Sequence, residues 1–140
     1  YFFSMSKLPS SSDIIEDLAF FDDWEERYQY IIDLSKQLPV LSDDKRTDDK
    51  LVKGCQSSVW LEIDKDQDKL HFTADSDAII VRGLLVLVLA AYQDKSAQDI
   101  LAFDIDSYFK ELDLERHITV TRGNGLRSIV GKIREEAAQA

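Results

Sequence analysis

Apolar residues at helical spacing predict two helices near the start of the chain. Polar residues at 10–13 supply N-capping oxygens ahead of a first apolar face, which comprises Ile14, Ile15, Leu18 and Ala19. Asp23 and Glu26, at the spacing of a capping box, introduce a second face of Trp24, Tyr28, Ile31, Ile32 and Ser35. We expect the second helix to stop at Leu38, because the proline that follows disfavours helix at the preceding residue. Trp24 and Tyr28 are interpreted as core residues.

Two runs rich in β-branched and aromatic residues, at 59–63 and 69–73, predict an antiparallel hairpin with a loop over 64–68. Leu51-Val52 is expected to add a short strand. His71 alternates with apolar neighbours along its run. We therefore expect this histidine on the polar face of the hairpin, at the surface and not in a catalytic role.

The most apolar run of the chain extends from Ala78 to Tyr92 and is interrupted only by Arg82. At about 15 residues it is shorter than the ~20 that span a bilayer, so it predicts a central buried helix and not a membrane anchor. Asp75-Ser76-Asp77 is the predicted start of this helix. Gly83 in its interior costs about 1 kcal/mol relative to alanine, which indicates close packing against a neighbouring backbone.

Three further helices are predicted towards the C-terminus: one capped by Ser96 and extending through Ala102, one capped by Asp106 and extending through Leu112, and a last one over 124–138. The buried face of the last helix is expected to comprise Leu126, Ile129, Val130 and Ile133. Together with the hairpin, these elements predict an α+β fold, in which a small antiparallel sheet packs against several helices.

Arg122 is predicted at or just before the start of the last helix, because Gly123 and Gly125 disfavour a helix interior. The helix dipole favours anions at that end, so an arginine gains nothing from it. We therefore expect Arg122 to pair with a carboxylate such as Asp77 or to face an acidic group of a partner, with a plain exposed arginine as the alternative. Asp77 itself is either a carboxylate favoured by the helix dipole or a group close to the only cysteine.

Composition limits the classes of function. The chain has 140 residues, enough for one domain over 13–140, while residues 1–12 are expected to be a flexible N-terminus. Residues 1–4 precede the only methionine and are interpreted as a vector remnant. The formal net charge of −10, without a basic cluster, argues against a nucleic-acid partner and suits a basic protein partner. One cysteine forms no internal disulfide and no leader sequence is recognised, so we expect a cytoplasmic protein without a membrane association.

That cysteine, Cys55, lies between a charged segment and the first strand of the predicted hairpin. The preceding segment, 42–50, carries charges of both signs without an apolar period and is interpreted as a solvated loop that could act as a hinge. Gly54 allows backbone conformations that other residues avoid and leaves room for another molecule to approach. On composition alone, however, a lone cysteine is more often a small buried hydrophobe than a reactive group.

Three kinds of chemistry could use Cys55. A metal or cluster site needs about four protein ligands, whereas the chain has one cysteine and 2 histidines far apart in sequence. A cysteine hydrolase needs a histidine base, for which His117 is the only candidate, without a recognisable triad. Sulfur transfer between proteins needs only one thiolate on a loop and a docking surface.

The residues around Cys55 decide among these by their resemblance to a known family. Gly54-Cys55-Gln56-Ser57 followed by Val59-Trp60 resembles the signature of the SufE family, the sulfur acceptors that work with pyridoxal-phosphate cysteine desulfurases in iron–sulfur cluster assembly. The resemblance continues through Asp75-Ser76-Asp77 with 80–84, through 99–109, and through Thr121-Arg122 with 124–126, so that it covers nearly all of the chain after about residue 20.

This resemblance implies a fold similar to SufE and IscU proteins and a covalent carrier role for Cys55. The thiol would receive a sulfane sulfur from a desulfurase of the SufS or CsdA type, stimulate that enzyme, and pass the sulfur to a scaffold of the SufBCD type. Gly54, Gln56, Asp77 and Arg122 would be supporting or partner-binding residues. The chain would not be a stand-alone enzyme and would need no cofactor of its own, since pyridoxal phosphate belongs to the desulfurase.

Several alternatives remain open within that resemblance. A CsdE-type acceptor that supplies a different sulfur pathway would share much of the same pattern. A non-covalent module that binds and activates a desulfurase is a further alternative. Homodimers occur in the family, although no sequence feature of this chain identifies one. The resemblance also implies that the thiol is sheltered in an apolar cavity when the protein is free.

Overall fold

The computed structural model describes residues 8–38, 44, 46–52, 58–114, 118 and 120–139, with the backbone alone at 120–122. The helices are α1 (Ser11–Ala19), α2 (Trp24–Leu34), α3 (Ile79–Tyr92), α4 (Ala97–Ala102), α5 (Ile105–Glu111) and α6 (Val120–Gln139). The strands are β1 (Val59–Asp66), β2 (Lys69–Ser76) and β3 (Lys95–Ser96). Short 3-10 helices follow α2 at Ser35–Gln37 and precede β1 at Asp48–Lys50. The predicted α+β fold with a small antiparallel sheet is confirmed.

Helix α3 forms the centre of the core, as its apolar composition predicts. From Ile80 to Tyr92 every side chain except that of Arg82 is buried, and β2 and α2 pack against this helix. Gly83 is required by the contact with α2, because a Cβ at this position would lie only 2.1 Å from the backbone oxygen of Ile31. The predicted close approach at this glycine is therefore confirmed.

The sheet is three-stranded and antiparallel in the order β1, β2, β3. Its hairpin is longer than predicted and its turn is tighter: pairing runs from Val59 with Ser76 to Asp66 with Lys69. The predicted loop was too long because Asp64, Lys65 and Asp66 belong to the exposed end of β1, where charged side chains on both faces can contact water. At the other edge of β2, the side-chain amide of Gln93 donates to the backbone oxygen of Phe72 at 2.8 Å and accepts from its N–H at 2.7 Å.

The caps of the first two helices are among the predicted residues, whereas α2 ends at Leu34 and a 3-10 turn continues it to the predicted stop. Ser10 and Asp13 form a capping box at α1, and the Asp23 carboxylate accepts from the Glu26 N–H at 2.9 Å. Leu38 terminates the 3-10 turn that follows α2. Tyr28 is an exception to the prediction of core aromatics, because it is 41% exposed at the margin of the buried side of α2. Trp24 is partly buried against the core.

Two helix starts differ from the predictions. Asp75 and Ser76 are the last residues of β2, and α3 begins after them, at Ile79. The cap of α5 is Asp104, whose carboxylate accepts from the Ser107 N–H at 3.1 Å; this hydrogen bond holds the pKa of Asp104 below its usual range. At α5 several polar residues of capping type occur together, so composition alone does not identify the one that caps. At α3 the N-cap is Ala78, and no side chain caps the helix.

The last helix begins earlier than predicted, at Val120, which places Arg122 and the two neighbouring glycines in its first turns. Each glycine disfavours helix by about 1 kcal/mol, but burial of the apolar face that follows offsets this cost. That face was predicted correctly, since Leu126, Ile129, Val130 and Ile133 are all buried. Tertiary packing thus overrides local propensity at this helix start.

The division of the chain at residue 12 stays a prediction, although α1 begins at Ser11 and Leu8 already packs against the core. Among the helices in the described ranges, none has both the length and the apolar character needed to cross a membrane.

Candidate functional site

Three of the predicted site residues, Gly54, Cys55 and Gln56, lie outside the described residues, as does His117, the candidate base of the hydrolase alternative. The structure does describe both ends of the segment that carries the cysteine. Val52 precedes it and Ser58 follows it. The geometry of these two ends, and of the groups next to them, defines the surroundings of the candidate site.

The N-terminal end is fixed to the edge of the sheet. Leu51 forms an antiparallel bridge with Trp60, and the Val52 N–H donates to the backbone oxygen of Val59 at 2.8 Å. The short strand expected here is therefore a single bridge beside β1. Because the bridge lies at the end of β1 that follows the cysteine, the chain leaves the sheet and returns to it at nearly the same place.

The C-terminal end is fixed to the junction of β2 and α3. The backbone oxygen of Ser58 accepts from the Asp77 N–H at 3.3 Å, and the Asp77 side chain is exposed. Asp77 lies just ahead of Ala78, the N-cap of α3. The two roles weighed for Asp77 are thus compatible in space, because it stands both before the helix start and beside the end of the cysteine segment.

Next to both ends lies an ionic cluster formed by Arg46, Asp75 and Arg82, here called the Asp75 cluster; Asp75 pairs with Trp60, which bridges to Leu51. The Asp75 side chain has 0% exposure. Its Oδ2 pairs with Nη2 of Arg46, and its Oδ1 lies 2.9 Å from Nε of Arg82 and accepts from the Ser76 N–H at 2.8 Å. Arg82 also donates to the backbone oxygen of Ser76 at 2.8 Å. Every Asp75 oxygen therefore has a charged or backbone donor, which a buried carboxylate requires.

Arg46 also connects the cluster to β1. Its guanidinium carbon lies over the ring of Trp60, 5.6 Å from the centroid, a distance at which cation–π attraction operates. Trp60 in turn pairs with Asp75 across the sheet. With two guanidinium groups on one carboxylate, the cluster carries a formal charge of +1 at the end of a sheet in an otherwise acidic chain.

Sequence reasoning missed this cluster. Arg46 was placed in a solvated loop, and Asp75 was assigned to a helix start. One signal could have identified it: Arg82 is the only charge in the most apolar run, and a buried or half-buried arginine requires a carboxylate within reach. The interpretation of 42–50 as a solvated loop holds for Asp44 and for 47–49, which are exposed, but not for Arg46 and Lys50, which are half-buried.

Further contacts hold the same segment. Lys50 Nζ lies 3.0 Å from the Glu62 carboxylate of β1, and both side chains are largely buried. The Thr47 hydroxyl donates to Asp49, and this hydrogen bond lowers the pKa of the Asp49 carboxyl below its usual value. The described residues of 46–52 are thus attached to the sheet at several points, with the cluster at one end and the Val52 hydrogen bond at the other.

A cleft of about 660 Å³ separates this segment from helix α6. Leu51, Val52 and Leu61 line one part of it, and Gly131 and Lys132 line the opposite wall. A Cβ at Gly131 would meet nothing within 4 Å, so the absence of a side chain there widens the cleft. The cleft is adjacent to the N-terminal end of the cysteine segment.

Comparison with protein families decides the family of the chain. The family model described as SufE, Fe-S metabolism associated domain, matches residues 12–137. The chain belongs to the SufE family.

Related SufE-like sequences match over almost their whole length. An uncharacterized SufE-like protein of Rhizobium etli is 46% identical over 134 residues, which cover 93% of this chain and 90% of that protein. A second uncharacterized SufE-like protein, from Rhizobium meliloti strain 1021, is 42% identical over 134 residues, covering 93% and 96% of the two chains. These matches confirm the resemblance of the chain to the SufE family.

One solved structure supports the fold. The solution structure of a hypothetical protein from Thermus thermophilus matches with a TM-score of 0.76 and 17% identity, and covers 95% of this chain and 96% of that one. At this identity the likeness concerns the fold alone, so it supports the α+β architecture and carries no statement about function.

The last of the predicted site residues is Arg122. Its backbone lies in the first turn of α6, and its side chain is outside what the structure describes, so its pairing with Asp77 stays a prediction. Within the described part of the chain, no three histidine, cysteine, aspartate or glutamate side chains come together as metal ligands.

Proposed function

We propose that this chain is a sulfur acceptor for a pyridoxal-phosphate-dependent cysteine desulfurase. In the proposed reaction, the Cys55 thiolate attacks the outer sulfur of the persulfide on the desulfurase cysteine. A new sulfur–sulfur bond forms on Cys55 while that of the donor persulfide breaks, and the donor cysteine leaves as a thiolate. The exchange needs no added oxidant or reductant, and removal of the product from the desulfurase stimulates its turnover.

The observation that carries this proposal is that the only cysteine of a SufE-family chain lies in a short segment whose two ends are fixed side by side. Val52 and Ser58 are held by hydrogen bonds to Val59 and Asp77, at the same end of the sheet. This arrangement supports the proposal because it holds both ends of the cysteine-bearing segment at one place on the sheet. Direct transfer between two cysteines requires that the thiol reach the active site of the partner protein, and a fixed base defines where that segment starts and ends.

The other predicted residues take supporting roles in the proposal. Gly54 and Gln56 flank the thiol in sequence, and Asp77, exposed beside the C-terminal end, offers a charged contact for the desulfurase. Arg122 is assigned to the same docking surface. Pyridoxal phosphate stays with the desulfurase, and the sulfur goes on to the iron–sulfur cluster assembly machinery, for which a scaffold of the SufBCD type is the proposed recipient.

Intact-mass spectrometry after incubation with desulfurase and cysteine tests the proposal directly. The chain should gain about 32 Da, the mass of one sulfur atom, and should lose it on treatment with a reductant. Cys55→Ser should remain folded, show no mass gain and fail to stimulate the desulfurase, because a hydroxyl oxygen does not take up a sulfane sulfur.

Three results would contradict sulfur acceptance. A wild-type chain without a mass gain would do so, as would a reductant-resistant adduct. A folded Cys55→Ser variant with full stimulation would favour the alternative of a non-covalent activator, which changes its partner only by binding. Repeating the assay with SufS-type and CsdA-type desulfurases separates the two proposed donors by the rate of mass gain.

A further inference from the structure

We propose that the Asp75 cluster is a positioning device for the two ends of the cysteine segment: the buried Asp75 carboxylate joins the chain on both sides of that segment and holds the stretches that lead to Val52 and Ser58 in fixed positions. Arg46, Asp75 and Arg82 are therefore positioning residues and not acceptors. The consequence for sulfur transfer rests on the proposed function of Cys55, whereas the anchoring itself does not.

The cluster joins two stretches that local sequence does not connect. Arg46 belongs to the segment that leads to Val52, and it lies 29 positions before its partner Asp75. Asp75 is at the end of β2, immediately before the turn in which Asp77 holds Ser58. One carboxylate thus restrains the approach to the cysteine segment and the structure to which that segment returns.

The contacts of the Asp75 carboxylate fix its orientation as well as its distance from the two arginines. One oxygen pairs with Arg46, and the other forms an ion pair with Arg82 and accepts from the Ser76 N–H, so rotation of the carboxylate would break contacts on both sides. The Arg46 guanidinium is also held in place by its position over Trp60. A planar guanidinium satisfies a carboxylate and an aromatic ring together, which a lysine ammonium does less well.

Stability alone gives a weak reason for such a cluster. Replacement of a buried ion pair by apolar residues of similar volume is often neutral or stabilising. This cluster leaves both arginines partly exposed, with side-chain exposures of 30% for Arg46 and 35% for Arg82. Its specific contribution is the fixed geometry at the two ends of the cysteine segment.

The first test measures anchoring without any desulfurase. In Arg46→Gln, Asp75 keeps Arg82 and Ser76, so the core should remain folded while segment 46–52 loses its contact with β2. Amide hydrogen exchange at Val52 should accelerate by about tenfold or more, with exchange in the α3 core unchanged. Arg46→Lys, which keeps the charge, should restore part of the protection.

The matched control is Lys50→Gln, which removes an ion pair from the same segment without touching Asp75. It should change exchange at Val52 less than Arg46→Gln does. The anchoring proposal is overturned if Arg46→Gln leaves Val52 exchange unchanged, or if both variants accelerate it equally. If Arg46→Gln does not fold, Arg46→Lys and Arg82→Gln are measured in the same assay. Faster exchange at Val52 than in Lys50→Gln then supports anchoring, and exchange that is unchanged or equal to that of Lys50→Gln overturns it.

The second test separates positioning from direct contact with the desulfurase. A mispositioned thiol lowers the rate within the docked complex, so Arg46→Gln should reduce the maximal stimulation about tenfold while the half-saturating concentration stays within about twofold. A change in the half-saturating concentration alone would overturn positioning in favour of a direct contact. If the wild type takes up no sulfur but Val52 exchange still responds to Arg46→Gln, the acceptor function is wrong and the anchoring role stands.

Discussion

The two ends of the β1–β2 hairpin are built from the same strands and differ in almost every other respect. At the turn end, Asp66 pairs with Lys69, and all side chains from 64 to 69 are exposed. At the open end, Val59 and Ser76 are buried as a pair, and Asp75 is fully buried with its arginines. The turn end reverses the chain, while the open end holds a third segment and the start of the central helix.

This difference shows where the fold contains constraints beyond those of hairpin formation. A polar turn needs only water to satisfy its groups, whereas a buried carboxylate requires donors from separate parts of the chain. Those donors come from Arg46 and Arg82, on either side of the hairpin in sequence. The constrained end is also where the segment that carries Cys55 begins and ends, at Val52 and Ser58.

The largest expected effect is the loss of the buried carboxylate. Asp75→Ala should reduce the free energy of unfolding by about 3–5 kcal/mol, because it leaves two partly buried guanidinium groups without their shared partner. The matched change at the turn end, Asp66→Ala, should stay within about 0.5 kcal/mol, as expected for an exposed residue. Urea unfolding followed by circular dichroism measures both values. Equal effects at the two ends would show that the burial of Asp75 has no energetic importance.

The same contrast explains which parts of the fold were predictable. The central helix and the requirement for Gly83 follow from the apolar run itself, because composition over many residues outweighs local detail. The hairpin and the polar position of His71, which contacts Asp94 at 2.9 Å, follow from alternation. Each of these signals is contained in a short stretch of sequence.

The missed features depend on partners distant in sequence. Asp75 has the residue type of a helix cap and became the centre of an ion cluster only through Arg46. Arg122 was placed before a helix because of its glycines, yet the packing of the following apolar face extends α6 to Val120. Cys55 and Asp77 were identified from their motifs, whereas the pairing of Arg46 with Asp75 became visible only in three dimensions.

A stabilising effect of intermediate size is expected at the tight turn of the β1–β2 hairpin. Gln67 has φ of 59°, a left-handed conformation that costs a residue with a Cβ roughly 1 kcal/mol or more relative to glycine. Gln67→Gly should therefore stabilise the chain, by up to about 1 kcal/mol after the greater entropy of unfolded glycine is included. Asp68→Gly, at the neighbouring position of the turn, should be destabilising, and a gain from both substitutions would contradict this explanation. Desulfurase stimulation should be unchanged by either variant, since both lie at the turn end of the hairpin, opposite to Val52 and Ser58.

A smaller effect is expected from the Lys50–Glu62 pair, which connects the approach segment to β1. A double-mutant cycle with Lys50→Met and Glu62→Gln should give a coupling free energy of about 0.5–1 kcal/mol, because the two side chains are only about one-fifth exposed. The control cycle uses Arg127 and Asp106, which are 3.8 Å apart and mostly exposed, and should give no measurable coupling. Coupling of the same size in both cycles would mean that burial does not strengthen the pair near the site.

The smallest effect on stability and the clearest one on partner binding are expected from charge reversal at Asp77. This residue is exposed, so Asp77→Lys should change the free energy of unfolding by no more than about 0.5 kcal/mol. Asp66→Lys at the turn end is the matched control, because both variants change the net charge of −10 by the same two units. If the desulfurase docks at the open end, only Asp77→Lys should raise the concentration of the chain needed for half-maximal stimulation, by several-fold at low salt, because mismatched charges act mainly on association. Added salt should reduce the difference between the two variants. Equal half-saturating concentrations for both variants would remove Asp77 from the docking surface, whereas equal weakening would show that the desulfurase responds to net charge and does not distinguish the two ends of the hairpin.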